Sequence, residues 1–383
     1  NMNTPYQVCF MPWAGLDKEL KLGPVTFWPF SVEAEGRLAD KAIREHLAMY
    51  FRCYVDHQGR HVETVTICSH GPADFRQPCE NQAGEIRAAV DTLIFSIICP
   101  ATRTGVCANN YSMGPPSAER YQLITQNFRP GEDHIAVQAG SVLSGGWKIG
   151  QISFPRPWST GGAFASPDPC LLGAFTKFFE PGFLAEMKER ILRSLEWFRF
   201  AHIGSDDVSW QSKIVMMATA FEIALDVPDQ PNKKGWIADR LDMLCETEGM
   251  LREDRSIGRD RINHTKIGWW GWDFYQLRNE IVHGDVIRPE QMKYRTPTIR
   301  RLTQPIVADL VFWECVTREL CAHGCLGGDV KKYSAEFDKL FPDQPSGGAE
   351  PILLASFMGF GFSEIHRAFG WAPELSWKEP KPS

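Results

Sequence analysis

Apolar residues recur at helical spacing through most of the second half of this 383-residue chain, and this pattern limits the fold more than any other feature. It predicts five helices, over residues 181–202, 208–226, 233–247, 269–283 and 299–323. A polar break at residues 204–207 offers a serine or an aspartate as the N-cap of the second helix. Five helices with short to moderate connections favour an α-helical bundle.

The first part of the chain has a mixed pattern. Six segments predict strands, because each lies between Gly, Pro or Asn clusters: residues 22–29, 49–56, 62–68, 121–128, 135–139 and 147–154. The sequence SGG at residues 144–146 predicts the turn between the last two. Residues 38–50 and 84–99 predict helices, and the second should be buried because half of it is nearly all apolar. We therefore predict an α+β domain here.

A Pro-, Gly- and Ser-rich stretch at residues 153–169 separates the two patterns, either as a linker or as a long loop. A chain of this length favours two domains. We predict an α+β sensing or regulatory domain over residues 1–175 and an all-α helical bundle over residues 176–326. Residues 327–383 form an extension of unknown role, with an apolar run at 357–362 and a predicted helix at 363–369.

Composition narrows the classes of protein. The hydrophobic content of 43% and the charged content of 23% fit a soluble globular chain. The net charge of -6 argues against binding nucleic acid by bulk charge. The longest apolar stretch, residues 92–99, is too short to span a bilayer, and the N-terminus lacks the pattern of a signal peptide. We expect a cytoplasmic protein with no membrane partner.

The eleven cysteines are scattered and odd in number, and most lie in apolar runs, as is typical of buried thiols in a reducing compartment. Cys321, His323 and Cys325 form the nearest approach to a metal site. No second ligand pair lies at a standard spacing from them. We therefore predict neither a metal nor a cofactor.

The stretch LRNEIVHGD at residues 277–285 is the main candidate for chemistry. Asn279 and His283 are four residues apart and share one face of the fourth predicted helix. Arg278 points well off that line, although its long side chain can swing toward it. Gly284 is suited to the left-handed position after a helix, which places His283 in the last turn, where the helix dipole favours a cation.

These three residue types suit reactions of a phosphodiester. A histidine can take or give a proton near neutral pH. A guanidinium binds phosphate oxygens in pairs and stabilises charge that builds on phosphorus. No metal ligands cluster nearby in the sequence, so the nucleophile we expect is the RNA 2′-hydroxyl, which yields a 2′,3′-cyclic phosphate and a 5′-hydroxyl. The structural alternative is a surface or helix-capping histidine.

The stretch LRNEIVHG resembles the Arg-polar-x-x-x-His signature of the HEPN superfamily, and it is most similar to the Apea-like branch with its R-(S/N)-x-(I/L)-V-H-G form. The upstream helix IVMMATAFEIAL, residues 214–225, resembles the family's earlier helix with an acidic residue, here Glu222. The segment 236–245, the motif helix and a long closing helix follow in the family's order. The resemblance covers residues 181–324, over a third of the chain.

The resemblance implies a helical bundle that forms a homodimer, with two Arg–His motifs facing each other across a two-fold axis. It also implies a metal-independent endoribonuclease of a toxin–antitoxin, abortive-infection or antiviral system. Arg278 and His283 would be the catalytic pair, with Asn279 supporting them. Glu222 would either hold Arg278 by an ion pair or only cap the bundle. The partners would be RNA, including tRNA, and an unknown trigger, antitoxin or phage component.

Two alternatives belong beside this hypothesis. One is a non-catalytic HEPN scaffold that oligomerises or binds RNA or a partner protein; the intact Arg278, Asn279 and His283 set favours the enzyme. The other is an enzyme in the N-terminal domain, but no constellation of residues there supports it.

Local charge is compatible with RNA. Residues 251–301 contain eleven basic and seven acidic side chains, in a chain of net charge -6. The candidate RNA contacts are Arg259, Arg261, Lys266 and Arg288. A solvated loop is the alternative interpretation. The aromatic cluster in residues 269–275 could stack unpaired bases, but such a cluster is more often part of a core.

Overall fold

A computed structural model describes residues 6–30, 38, 40–71, 75, 80–107, 117–139, 142–157, 167–205, 207–245, 252–292 and 303–326. This part of the chain is α+β, with eight α-helices and small, largely antiparallel sheets. The extension 327–383, with its predicted helix at 363–369, lies outside it. Within the described ranges, no helix has the length and apolar character needed to cross a membrane.

The strands are β1 (Tyr6–Met11), β2 (Leu20–Leu22), β3 (Val25–Phe30), β4 (Tyr54–Val55), β5 (Val65–His70), β6 (Ile124–Phe128), β7 (His134–Ala139), β8 (Val142–Lys148), β9 (Phe154–Pro155), β10 (Arg252–Ile257) and β11 (Asp260–Thr265). The helices are α1 (Lys41–Phe51), α2 (Glu80–Cys107), α3 (Pro169–Phe178), α4 (Ala185–Ala201), α5 (Trp210–Ala224), α6 (Lys233–Cys245), α7 (Lys266–His283) and α8 (Gln304–Ala322).

The main sheet has five antiparallel strands in the order β2-β3-β5-β1-β6. Alternate residues of its strands face opposite sides, as the period of a strand requires. Val8 and Phe10 of β1 belong to an apolar cluster with α1, whereas Cys9 and Met11 belong to a second cluster with α2. Both faces of the sheet are therefore covered.

The second apolar cluster continues from the sheet through α2 into the helices α3 to α8. Phe95 of α2 shows why: its ring packs edge-on against Phe175, Phe198 and Phe312, which come from three other helices. Thus α2, which precedes residue 175, is a central helix of the helical region. The division of the chain at residue 175 stays a prediction.

The predicted helices of the second half are present as α4 to α8, with shifts at their ends. The N-cap of α5 is Ser209, whose side chain accepts from the Ser212 amide, so the N-cap expected at residues 204–207 was wrong. The short helix α3 was not predicted. It lies just after the Pro-rich stretch, and its start is favoured by Asp168 as N-cap and by Pro169 in the first turn.

The predictions for strands and turns in the first part of the chain were wrong in several details. The segment 22–29 is not one strand: it includes the turn between β2 and β3 at Gly23, whose φ of +57° favours glycine. The residues 144–146 lie within β8, and the connection from β7 falls between Ala139 and Val142. In the predicted strand 49–56, residues 49–51 are the end of α1 and only Tyr54–Val55 form a strand. The predicted strand 147–154 is not continuous, because it spans the end of β8, a turn and the start of β9.

The hairpin β10–β11 joins α6 to α7 and was also not predicted. Its strands are mostly charged and exposed, so they lack the alternation that indicates a half-buried strand. Ile257 and Ile262 instead pack on a small separate cluster with Trp269 and Trp272. The Trp269 indole Nε1 also donates to the Glu253 carbonyl over 2.7 Å. The hairpin therefore packs against the first half of α7.

Candidate functional site

Helix α7 carries the Arg–Asn–His stretch, and its ends are set by local signals. The Thr265 side chain accepts from the Gly268 amide at the start. Gly284, with φ of +82°, ends the helix after His283, and the Gly284 and Asp285 amides donate to the Ile281 and Glu280 carbonyls. The expected glycine C-cap is therefore present, and His283 is the last helical residue.

Glycines bring α6 unusually close to α7. A Cβ atom on Gly268 would lie 2.3 Å from Asp242 Oδ1, and one on Gly271 would lie 2.4 Å from Leu241 Cδ1. Further along, Lys234 of α6 meets Gln276 of α7. Because lower numbers on α6 meet higher numbers on α7, the two helices are antiparallel. The start of α6 is thus placed beside the last turns of α7, where the motif lies.

Glu222 of α5 lies beneath Arg278. The distance from Glu222 Oε1 to Arg278 Nη2 is 3.9 Å, and the two side chains are 15% and 25% exposed. The Tyr275 hydroxyl donates to the same Oε1 over 2.8 Å, and Lys233 Nζ donates to Oε2 over 2.9 Å. Glu222 therefore accepts hydrogen bonds from Tyr275 and Lys233, and its charge attracts Arg278. This arrangement agrees with the ion-pair alternative rather than with simple capping.

These contacts change the acidity of the groups around Glu222. Burial, followed by the hydrogen bond to Glu222 and its charge, raises the pKa of Tyr275. The hydrogen bond to Glu222 is also the main reason why the pKa of Lys233 is raised. Tyr275 thus remains a neutral donor and Lys233 a cation near neutral pH, which keeps both of them bound to the carboxylate.

The guanidinium of Arg278 is held on several sides. Its Nη1 donates to Asn279 Oδ1 over 3.2 Å, and its centre lies 5.3 Å from the middle of the Tyr275 ring. Its Nε is buried and has no hydrogen-bond partner in the part of the chain that the structure describes. Arg278 is therefore held in place by its contacts with Asn279 and Tyr275, while one buried donor is left without a partner among the described residues.

His283 is not part of this group within one chain. It is exposed at the end of α7, and among the described residues no hydrogen bond joins it to Arg278 or Asn279. A separation of five residues turns the two side chains about 140° apart around the helix. The structure therefore brings Glu222, Arg278 and Asn279 together, and leaves His283 apart from them. Val282 and Val286 beside it are 53% and 92% exposed.

The predicted RNA contacts are spread over both ends of α7. Arg259 lies in the turn of the β10–β11 hairpin, Arg261 lies on β11 and Lys266 is the first residue of α7, about 25 Å from His283 along the helix. Arg261 is also paired with Asp254 over 2.6 Å. Only Arg288 follows His283 in the sequence; it is exposed, five residues beyond the end of α7. The three other bases do not form one patch with the motif.

The aromatic cluster of α7 belongs to the core. Its five side chains are 1–6% exposed: Trp269, Trp270, Trp272, Phe274 and Tyr275. Their broad faces are covered by other side chains, so the hypothesis that they stack bases has no support from their burial.

Two residues at the start of α6 were not recognised from the sequence. Lys233 contacts Glu222, and Lys234 contacts Gln276 on α7. A signal was present: adjacent lysines occupy the first turn of a helix, where the dipole favours acidic residues instead. A pair of cations at this unfavourable position indicates a tertiary or functional reason for them.

Two buried His–Asp pairs lie elsewhere in the fold. His202 Nε2 lies 3.0 Å from Asp309 Oδ1, and His264 Nδ1 lies 2.8 Å from Asp242 Oδ2. Asp242 also accepts from the Thr265 amide at the start of α7, which links α6 to that end of the helix. In the described ranges, no three His, Cys, Asp or Glu side chains are arranged to hold a metal ion.

Comparison with known proteins yields no relative: neither a family model nor a curated protein nor a solved structure matches the chain.

Proposed function

We propose that this protein is a metal-independent endoribonuclease of the HEPN type, and that it acts as a toxin or an antiviral effector on cellular RNA, including tRNA. One observation carries the proposal. Arg278 is held by Glu222, Asn279 and Tyr275 at the exposed end of a helix that also ends in His283. A guanidinium and an imidazole at such a place suit the binding and cleavage of a phosphodiester.

The site requires a second copy of the chain. Because Arg278 and His283 diverge by about 140° around α7, one helix does not aim both at the same phosphate. Two copies related by a two-fold axis would place two arginines and two histidines around one phosphate. The exposed Val282 and Val286 beside His283 offer apolar surface for such a contact. The homodimer is part of the proposal.

The reaction would proceed by transfer within the RNA. One His283 accepts the proton of the 2′-hydroxyl, and this oxygen attacks phosphorus while the bond to the 5′-oxygen breaks. His283 of the partner subunit gives a proton to the leaving oxygen. Arg278 stabilises the charge that builds on the phosphate. The products are a 2′,3′-cyclic phosphate and a 5′-hydroxyl.

A scaffold without catalysis is the alternative, and one observation favours it. Arg278 is already partly neutralised by Glu222, and His283 contacts neither of them in a single chain. A module of this kind would use the exposed end of α7 to oligomerise or to bind RNA or protein. In both proposals the α+β part of the chain senses, regulates or selects targets, and the further partner is an unknown trigger, antitoxin or phage component.

The test compares the wild type with His283→Ala and Arg278→Ala, using purified protein and labelled RNA in the presence of EDTA. We expect cleavage by the wild type alone, with cyclic-phosphate ends, and loss of toxicity on expression of either variant. Equal cleavage by all three proteins, or cleavage that EDTA abolishes, contradicts the proposed mechanism. Absence of cleavage and toxicity under all triggers favours the scaffold.

A further inference from the structure

Four residues of α7 form a stripe along one face of the helix. Trp272, Gln276, Asn279 and His283 follow one another at intervals of four, three and four residues, so they lie in line. Gln276 precedes His283 by two turns, about 10 Å. The proposed site therefore continues along the helix from His283 as far as Gln276, and Trp272 beyond it is only 6% exposed.

Lys234 of α6 lies on this stripe. Its Nζ donates to Gln276 Oε1 over 3.0 Å, and it lies 4.8 Å from the centre of the Trp272 ring. The Gln276 amide is in turn oriented, because its Nε2 donates to Glu280 Oε1 over 3.1 Å. The lysine is thus held in place by a neutral amide and an aromatic face.

The adjacent lysine differs in its partners. Lys233 is paired with Glu222 over 2.9 Å and with Asp229 over 3.2 Å. Among the described residues, no carboxylate lies within ion-pair distance of Lys234. A cation that is positioned but not neutralised can bind an anion without first losing an existing ion pair. Of the two lysines, only Lys234 is available in this way.

We propose that Lys234 is a substrate-binding residue of this site, which contacts a backbone phosphate of single-stranded RNA that flanks the scissile phosphate. The inference rests on the proposed function, since it takes His283 as the point of cleavage. Gln276 and Trp272 hold the ammonium group, and a phosphate oxygen accepts a hydrogen bond from one of its remaining N–H groups. Lys233 has a different role: it holds Glu222, and through it the position of Arg278.

The experiment measures RNA binding separately from cleavage. The parent protein is the His283→Ala full chain, and the probe is a fluorescein-labelled single-stranded oligoribonucleotide of mixed sequence. Its Kd is measured over a series of salt concentrations for the parent and for Lys234→Gln, Lys234→Arg, Lys233→Gln and Lys21→Gln. Lys21 is exposed on β2 of the sheet, so the last variant controls for the loss of one charge.

We expect Lys234→Gln to weaken binding severalfold at low salt and to reduce the slope of log Kd against log salt by about 0.7, the effect of one lost phosphate contact on a single strand. Lys234→Arg should restore most of the slope. Lys21→Gln should leave the slope unchanged. Lys233→Gln should change the slope less than Lys234→Gln does, because the charge of Lys233 is already paired with carboxylates. An unchanged slope in Lys234→Gln, or an equal change at both α6 lysines, overturns the inference.

The outcomes also separate this inference from the proposed function. If the wild type cleaves RNA but Lys234→Gln binds like its parent, the enzyme stands and the Lys234 contact is wrong. If Lys234→Gln reduces the slope but the wild type never cleaves, the contact stands and the catalytic proposal fails. If the parent binds no RNA at any salt concentration, the inference is overturned whether or not the wild type cleaves.

Discussion

The Tyr275 hydroxyl donates to Glu222 over 2.8 Å, while the ring of the same tyrosine lies beneath the Arg278 guanidinium. One residue of α7 therefore links α5 to the predicted catalytic arginine. Tyrosine, unlike phenylalanine, supplies both contacts at once.

Tyr275→Phe is expected to keep the ring under Arg278 but to remove its hydrogen bond to Glu222. Loss of one such bond should lower the free energy of unfolding by about 1 kcal/mol. Urea denaturation of the two proteins checks this value. If the enzyme proposal holds, cleavage should also fall, because Glu222 is held less firmly against Arg278. Equal stability of the two proteins contradicts the assigned role of the hydroxyl.

The His202–Asp309 pair should make stability depend on pH. Burial lowers the pKa of His202, but the charge of Asp309 and the hydrogen bonds to Asp309 and the Phe198 carbonyl outweigh it, so the pKa is raised above 6.5. The charge of Lys213 opposes the rise. The folded state therefore holds the proton more tightly than the unfolded state does. This stabilisation is complete below about pH 6.5 and is lost as the pH rises through the folded-state value.

Urea unfolding at a series of pH values tests this, with His202→Gln as the comparison. The difference in unfolding free energy between wild type and variant should be largest in mild acid and should shrink in mild base. A difference that is constant over this range shows that the imidazole does not titrate with folding. Thr102, which donates to Asp309, is left unchanged in both proteins.

Gly268→Ala is expected to destabilise the protein although alanine favours helices. The added Cβ would lie 2.3 Å from Asp242 Oδ1, so this carboxylate, which is held by His264 and Thr265, must shift. Such overpacking costs about 1–3 kcal/mol, more than the roughly 1 kcal/mol gained from helix propensity. Gly173→Ala on α3 is the matched control: nothing lies within 4 Å of its Cβ position, so it should stabilise the fold. Thermal unfolding should show a lower Tm for Gly268→Ala and a higher Tm for Gly173→Ala than for the wild type.

Phe95→Ala tests whether α2 joins the sheet to the helical region. The ring is fully buried among rings of three other helices, so its loss should cost about 3–5 kcal/mol. If the two regions share this core, far-UV circular dichroism and tryptophan fluorescence should report one common transition at a lower urea concentration. Separate transitions, with only one of them shifted, would show that the regions unfold independently.

Local sequence determined the helices of the second half, including the end of α7. The apolar spacing, and the glycine after His283, act within a few residues, so each can be recognised without the rest of the fold. The same spacing also showed that Asn279 and His283 share a face and that Arg278 does not. The proposed resemblance to HEPN proteins likewise rests on the order of segments in the sequence alone.

Only the tertiary structure decided what surrounds these residues. Glu222 and Arg278 are 56 positions apart, and they meet because α5 packs on α7, where Phe221, next to Glu222, contacts Phe274. The β10–β11 hairpin has no apolar alternation, since it is held by contacts with two tryptophans of α7. Likewise, Lys233 and Lys234 are equivalent in the sequence. One is neutralised and the other is not, because only packing determines which carboxylates each ammonium group reaches.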